Sequence, residues 1–385
     1  MSDTPRDASI RARSETERIP RTSRAAVIVG YRKPLEIREY PIPEVEPGAF
    51  LVRNEMAGLC GSDLHQWHGD QQSPGKLPQL PGHEFVGRIV EFGQGVTKDS
   101  AGQPLKLGDR IMWSHIECGE CYFCRIAMQP TLCTSRNVYG RQCAEDHPHL
   151  MGGYSEYIYV LPRTQVIKVP DELTNEEVIG VCCGLRTAVA GFERAGAIDV
   201  QANVVILGAG PIGLYSLVLY KEGGAGQVIL VGAPRDRTEF AKKWGADHVI
   251  NIEEVPDAGK RLEQIRGWTG GIGADIVVEA SGGPTAFPEG LDIVRNGGKF
   301  VLIGQVNPKV KNMISPSAIN LKQIDVLGVR GALIPHYYRA LKFIQNKRNK
   351  YSFADIVTSK YSLDQATEAL KAAESGKVVK AVIVP

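Results

Sequence analysis

Apolar positions along this chain fall into two textures. From Arg24 to Val160 they come as short runs or alternate with polar residues: Ala25–Val29, Leu35–Tyr40, Ala49–Ala57, Phe85–Phe92, Asp109–Trp113 and Tyr154–Val160. Gly30, Pro34 and the turn PIPEVEPG, residues 41–48, punctuate them. A spacing near two predicts strands with one buried face, so this part reads as a β-rich unit carrying long loops.

The texture changes at Thr174-Asn175-Glu176-Glu177, a capping box that predicts a helix leading through Val178–Val181 towards Cys183. A second helix is expected from about Leu185 to Arg194. Strand and helix patterns then alternate. Asn203–Leu207, Gln227–Val231, His248–Asn251, Ala274–Glu279, Lys299–Gly304 and Gln323–Val329 read as strands, with helices at Pro211–Glu222 and Arg235–Trp244. Such alternation builds a doubly wound parallel sheet, an α/β fold with helices on both faces. Two further helical patterns, Tyr338–Asn346 and Leu363–Glu374, precede a last strand, Val378–Val384, and this tail is expected to return to the first unit. The expected division is a flexible tail over 1–23, a β-rich unit over 24–185, a nucleotide-type unit over 186–330 and a return segment over 331–385.

Composition narrows the classes. A chain of 385 residues exceeds what one core usually fills. The net charge of +2 argues against a nucleic-acid binder, and no apolar run approaches a membrane span or the core of an export signal. A cytoplasmic protein is expected. Its eight cysteines then point to metal rather than to disulfides.

Gly208-Ala209-Gly210-Pro211-Ile212-Gly213 follows a predicted strand and opens a predicted helix. In that setting the glycines make the tight turn, admit a pyrophosphate to the backbone and let the helix pack closely, so a dinucleotide such as NAD is expected here. The second strand ends at Gly232, where a carboxylate for the ribose diol of NAD would stand. Arg235 or Arg237 could instead face the 2′-phosphate of NADP, while Asp236 opposes it, so the choice of cofactor stays open.

Cys118, Cys121, Cys124 and Cys133 stand close enough in one loop to close a tetrahedral zinc site that pins the loop. A different chemistry is offered by Cys60 and by His83 with Glu84. A thiolate and a neutral imidazole from separate loops suit a catalytic zinc, given a third ligand from Cys182 or Cys183 and an open position for substrate.

Taken together, GLCGSDLH, PGHEFVGRIVEFG, the four-cysteine loop, CCGLRTA and LGAGPIG resemble, in order and approximate spacing, the zinc-dependent medium-chain alcohol dehydrogenases. The resemblance covers nearly all the chain beyond residue 24. It implies a GroES-like β-rich catalytic domain joined to a Rossmann domain, two zinc ions per chain, NAD or NADP, and a homodimer or homotetramer. It selects Cys183 over Cys182 by the Cys-Gly-x-x-Thr register, making Cys60, His83 and Cys183 the catalytic ligands. It implies that Glu84 sits behind the metal and can enter its coordination sphere, that Asp63 orients His83, that Ser62 and His65 relay the proton of the alcohol, and that Thr187 lies near the nicotinamide. His68, His115, His147 and His149 remain loop histidines in this reading. The spacing from Cys124 to Cys133 is one residue longer than the family's usual one. The QWHGD segment and the cysteine loop resemble the secondary-alcohol and polyol branch. A small-molecule alcohol or ketone is the expected partner. The rivals are a polyol, sugar or threonine-type dehydrogenase, a zinc-free reductase on the same scaffold, and a non-catalytic zinc-binding scaffold.

Overall fold

The computed structural model describes residues 19–70, 75–304, 309 and 311–385. Residues 1–18 of the expected tail lie outside them. Thr22 and Ser23, at the end of the expected tail, belong instead to the first strand, β1 (Thr22–Val27), where Ser23 is buried.

β1 pairs antiparallel with β2 (Glu36–Pro41). The strands β3 (Phe50–Gly58), β4 (Glu84–Phe92), β5 (Arg110–Trp113), β6 (Tyr157–Val160) and β7 (Val166–Lys168) follow. β8 (Asn203–Leu207), β9 (Gln227–Gly232), β10 (His248–Asn251), β11 (Ala274–Glu279), β12 (Val294–Leu302) and β13 (Asp325–Gly328) form a six-stranded sheet in the order β10-β9-β8-β11-β12-β13. Every pairing in it is parallel. Parallel strands covered on both faces need continuous apolar runs, and Val204, Val205 and Ile206 of β8 are each fully buried. At roughly 1.5–3 kcal/mol per side chain, such runs supply much of the driving force for this sheet.

β14 (Val357–Ser362) and β15 (Lys380–Val384) come from the end of the chain and join the first unit. They extend a seven-stranded sheet in the order β14-β15-β3-β4-β5-β7, with β6 pairing β3. The return segment therefore brings Lys380 to the strand that ends at Gly58, next to Cys60.

The helix Gly184–Ala195 joins the two units and packs on the Pro211–Glu222 helix. A Cβ at Gly184 would stand 3.4 Å from Cβ of Pro211, and one at Gly180 only 1.8 Å from the Tyr215 hydroxyl. Glycine at both places lets the chain around Cys183 approach the nucleotide-type unit. The expected helix through Val178–Val181 is shorter than its pattern suggested. The Asn175–Val178 turn carries the capping box, and Ile179–Cys182 tightens to a 3-10 turn before Cys183 breaks the path at φ −143°, ψ −64°. That break aims consecutive side chains in different directions.

Candidate active site

Cys60 ends the loop after β3 and caps the N-terminus of the helix Gly61–His68, whose first turn holds Ser62 and Asp63. Asp63 is almost fully buried and works twice: Oδ2 accepts the Cys60 N–H at 2.8 Å, and Oδ1 meets Nδ1 of His83 at 3.2 Å. The ring of His83 is thereby oriented with Nε2 towards Ser62 Oγ, 3.4 Å away. Cys183 Sγ lies 3.8 Å from Cys60 Sγ. Ligand atoms of Cys60, His83, Glu84 and Cys183 all fall within 4.8 Å of one another.

The donor set fits zinc. Sulfurs bonded at about 2.3 Å on a tetrahedron stand about 3.8 Å apart, the separation found here. The Cys60 thiol is drawn well below its ordinary value, first by its hydrogen bond with Cys183 and, against burial, by His83. Cys183 is raised by that same bond and by burial. Burial opposes a charge on His83, yet Asp63 and then Cys60 push its imidazole up to about 10. Anionic sulfur facing an imidazole tuned by a carboxylate is a charge arrangement that a dication can take over.

Cys182 is turned away. Its thiol is buried and donates to the Phe85 carbonyl at 3.0 Å, outside the cluster that contains Cys183. Thr187 is buried one helical turn beyond Cys183, to whose carbonyl its N–H donates at 3.1 Å. His65 lies on the same helix as Ser62, with Nδ1 buried and unpartnered among the described residues.

Cys118, Cys121, Cys124 and Cys133 form the second cluster, again within 4.8 Å. Cys118 and Cys124 sulfurs are 4.0 Å apart and those of Cys121 and Cys124 3.5 Å, spacings that bracket the tetrahedral value. The backbone N–H of Cys124 is the main cause that draws the Cys121 thiol down to about 6. The longer span to Cys133 is taken up by a short turn, Pro130–Leu132, with the Cys118 N–H donating to Cys133 Sγ at 3.3 Å.

At the nucleotide loop Gly208 has φ +123° and Gly210 caps the helix that Pro211 opens, with Ile212 in its first turn. A Cβ at Gly213 would stand 1.9 Å from the Gly208 carbonyl oxygen. Gly232 is constrained as well, since a Cβ there would lie 2.7 Å from the backbone nitrogen of Ala209. The missing carboxylate at the end of β9 thus has a steric reason. Arg237 donates one N–H to the Val378 carbonyl at 2.6 Å, while its buried Nε has no partner among the described residues. Arg235 is exposed and pairs with Glu254 at 3.1 Å.

Three features escaped the sequence reading. Glu279, fully buried at the end of β11, accepts from Ser281 N–H and Oγ, from Gly282 N–H and from Gly304 N–H at 2.7–3.1 Å, fixing the loops across from Gly208. A largely buried polar group also lies near His115, whose ring is 6.4 Å from that of His83. Arg186 there donates to the Ala332 carbonyl at 3.2 Å and covers the Tyr337 ring at 4.7 Å, while Arg136 pairs with Glu117 at 3.1 Å. His115, expected to be a loop histidine, is buried, and that burial, followed by Arg186 and Arg136, holds its imidazole well below the usual value. The third feature is Lys380, paired with Glu84. Only the Arg of CCGLRTA, one of the motifs already singled out, offered a signal for any of these.

The family described as alcohol dehydrogenase GroES-like domain matches residues 46–171, and that described as zinc-binding dehydrogenase matches residues 211–346. The chain is 32% identical over 363 residues to 5-exo-hydroxycamphor dehydrogenase of Pseudomonas putida, covering 94% of this chain and 98% of that protein. An alcohol dehydrogenase structure from Thermotoga maritima superposes with a TM-score of 0.89 at 32% identity, covering 94% of this chain and 99% of that one. A structure described as a putative zinc-binding dehydrogenase from Sinorhizobium meliloti, bound to NADP, gives 0.82 at 28% identity with the same coverage.

Proposed function

Because this chain belongs to the zinc-dependent medium-chain dehydrogenase family, we propose that it interconverts a secondary alcohol and its ketone, exchanging a hydride with NAD or NADP. The observation that carries the reading is the grouping of Cys60, His83, Glu84 and Cys183 within 4.8 Å, with Cys183 leading into a helix that packs on the one opened by Pro211.

In this reading Cys60, His83 and Cys183 hold the catalytic zinc, and the four-cysteine loop holds a structural one. When bound, the catalytic zinc supplies Lewis acidity that polarises the oxygen of the alcohol or ketone. Asp63 keeps the His83 ring oriented and its ligating nitrogen basic. A nicotinamide dinucleotide held at the glycine-rich loop would supply the hydride acceptor for the carbinol carbon, with the alcohol oxidised to a ketone and the nicotinamide reduced. The hydroxyl proton leaves through Ser62 Oγ, beside His83 Nε2, and then through His65, one turn along the same helix, to solvent. Gly208, Gly210 and Gly213, with Pro211 and Ile212, receive the pyrophosphate at the helix N-terminus. Thr187 flanks the nicotinamide.

Unit boundaries at 22–185 with 331–385, and at 186–330, follow from the same reading, with β1 included in the first unit. Eight cysteines without a disulfide suit a reducing compartment such as the cytoplasm. No described helix is long and apolar enough to cross a membrane. The exposed edge β13 supports a homodimer in which two copies pair edge to edge.

A panel of secondary and primary alcohols, assayed with NAD and with NADP, tests the function. Secondary alcohols are expected to turn over faster, and both cofactors to be reduced, since Gly232 presents no charge against a 2′-phosphate. No reduction of either cofactor by any alcohol would contradict the reading.

A further inference from the structure

Behind the catalytic cluster lies an ion pair that no ligand role requires. Lys380 of β15 is buried (3% exposed), and its ammonium meets the Glu84 carboxylate, itself 1% exposed. Lys380 Nζ also donates to the Leu59 carbonyl at 2.9 Å, immediately before Cys60. The space is made by Gly58: a Cβ there would stand 2.3 Å from Glu84 Oε2 and 2.9 Å from Lys380 Cε. One carboxylate therefore sits between two positive charges, the ammonium on one side and the metal position on the other.

We propose that Lys380 is a positioning residue that holds Glu84 off the catalytic zinc and so sets how readily that ion is exchanged. The inference rests on Cys60, His83 and Cys183 holding zinc. Two thiolates and a neutral imidazole balance the charge of the dication, and Lys380 balances Glu84. Removal of the ammonium leaves a buried carboxylate unpaired within reach of the ion, and the least costly partner left to it is the zinc. Removal of the carboxylate instead leaves a buried ammonium facing a dication. The two single changes therefore act in opposite directions, and the double change restores neutrality. A lysine that served only to pack β15 would give no such pattern.

The test follows zinc loss from the zinc-loaded protein to a chelating dye, with release from the four-cysteine site as an internal reference. Lys380→Met is expected to slow release from the catalytic site by about tenfold or more, the lower end of what partners outside the ligand set contribute to metal affinity. Glu84→Gln is expected to speed it by a similar factor, and Lys380→Met with Glu84→Gln to return it near the unmodified rate. Lys380→Arg, which keeps the charge and guards against a folding defect, should stay near that rate too. Cobalt substituted at the site should change its visible spectrum in Lys380→Met and not in Lys380→Arg. Faster release in Lys380→Met, or a double variant no closer to the unmodified rate than either single, would overturn the role of Lys380. An unmodified protein that carries zinc only at the four-cysteine loop would overturn the metal reading beneath it.

Discussion

Cys182 and Cys183 are adjacent thiols with opposite surroundings. The break in backbone direction between the 3-10 turn and the next helix sends Cys182 to the Phe85 carbonyl and Cys183 to the Cys60 sulfur. Cys183→Ser is therefore expected to hold one zinc per chain fewer than the unmodified protein, and Cys182→Ser to lose none, with zinc counted by plasma emission on the purified proteins. Loss of zinc from Cys182→Ser alone would reverse the assignment. At this scale the sequence was most legible where chemistry is local. Cys60, Ser62, Asp63 and His65 lie within six residues, and the four cysteines of the second cluster share one loop. Glu279 and Lys380 were not legible, because each takes its meaning from partners that only the folded chain brings near. The arginines at 235 and 237 show the converse. Their charge near the end of β9 suggests a phosphate contact, but their partners are set by the fold: Arg237 donates one N–H to Val378 and Arg235 pairs with Glu254.

Among the elements, those carrying a strong period or cap appear where the pattern put them. The Pro211–Glu222 helix has its proline in the first turn, and the capping box at Thr174 has its reciprocal bonds, Thr174 N–H to Glu177 at 2.7 Å and Glu177 N–H to Thr174 Oγ1 at 3.3 Å. β7 and β14 were missed. β7 has only three residues, and β14 (VTSKYS) alternates burial while carrying few apolar side chains, so neither gives a clear hydrophobic signal. The Gly61–His68 helix was also hidden, since its eight residues GSDLHQWH are mostly polar and its Asp63 faces a ligand rather than a core. β13 raises a different question. It closes one edge of the six-stranded sheet with Asp325, Val326 and Gly328 exposed, close in sequence to the exposed Leu321. An open edge of this kind pairs readily with a second copy. Sedimentation is expected to give a species of two 42.0 kDa chains, and Val326→Lys to shift it towards one. A monomer at micromolar concentration in the unmodified protein would remove that interface.

At the scale of the molecule, the chain leaves its β-rich unit at Cys183, builds a parallel sheet, and returns through β14 and β15. The two-unit plan was legible because alternating strand and helix patterns differ in period from the β-rich part. How the units meet was not, because that depends on contacts such as the Gly184–Ala195 helix against the Pro211–Glu222 helix, which only the folded chain brings together. The account depends on one arrangement: ligands from three distant segments share an ion next to a nucleotide loop. Diffraction from crystals of the zinc-loaded protein, recorded on either side of the zinc absorption edge, tests this most directly. Two anomalous peaks per chain are expected, one among Cys60 Sγ, His83 Nε2 and Cys183 Sγ and the other among Cys118, Cys121, Cys124 and Cys133. A single peak at the four-cysteine loop, with Cys60, His83 and Cys183 drawn apart, would contradict it.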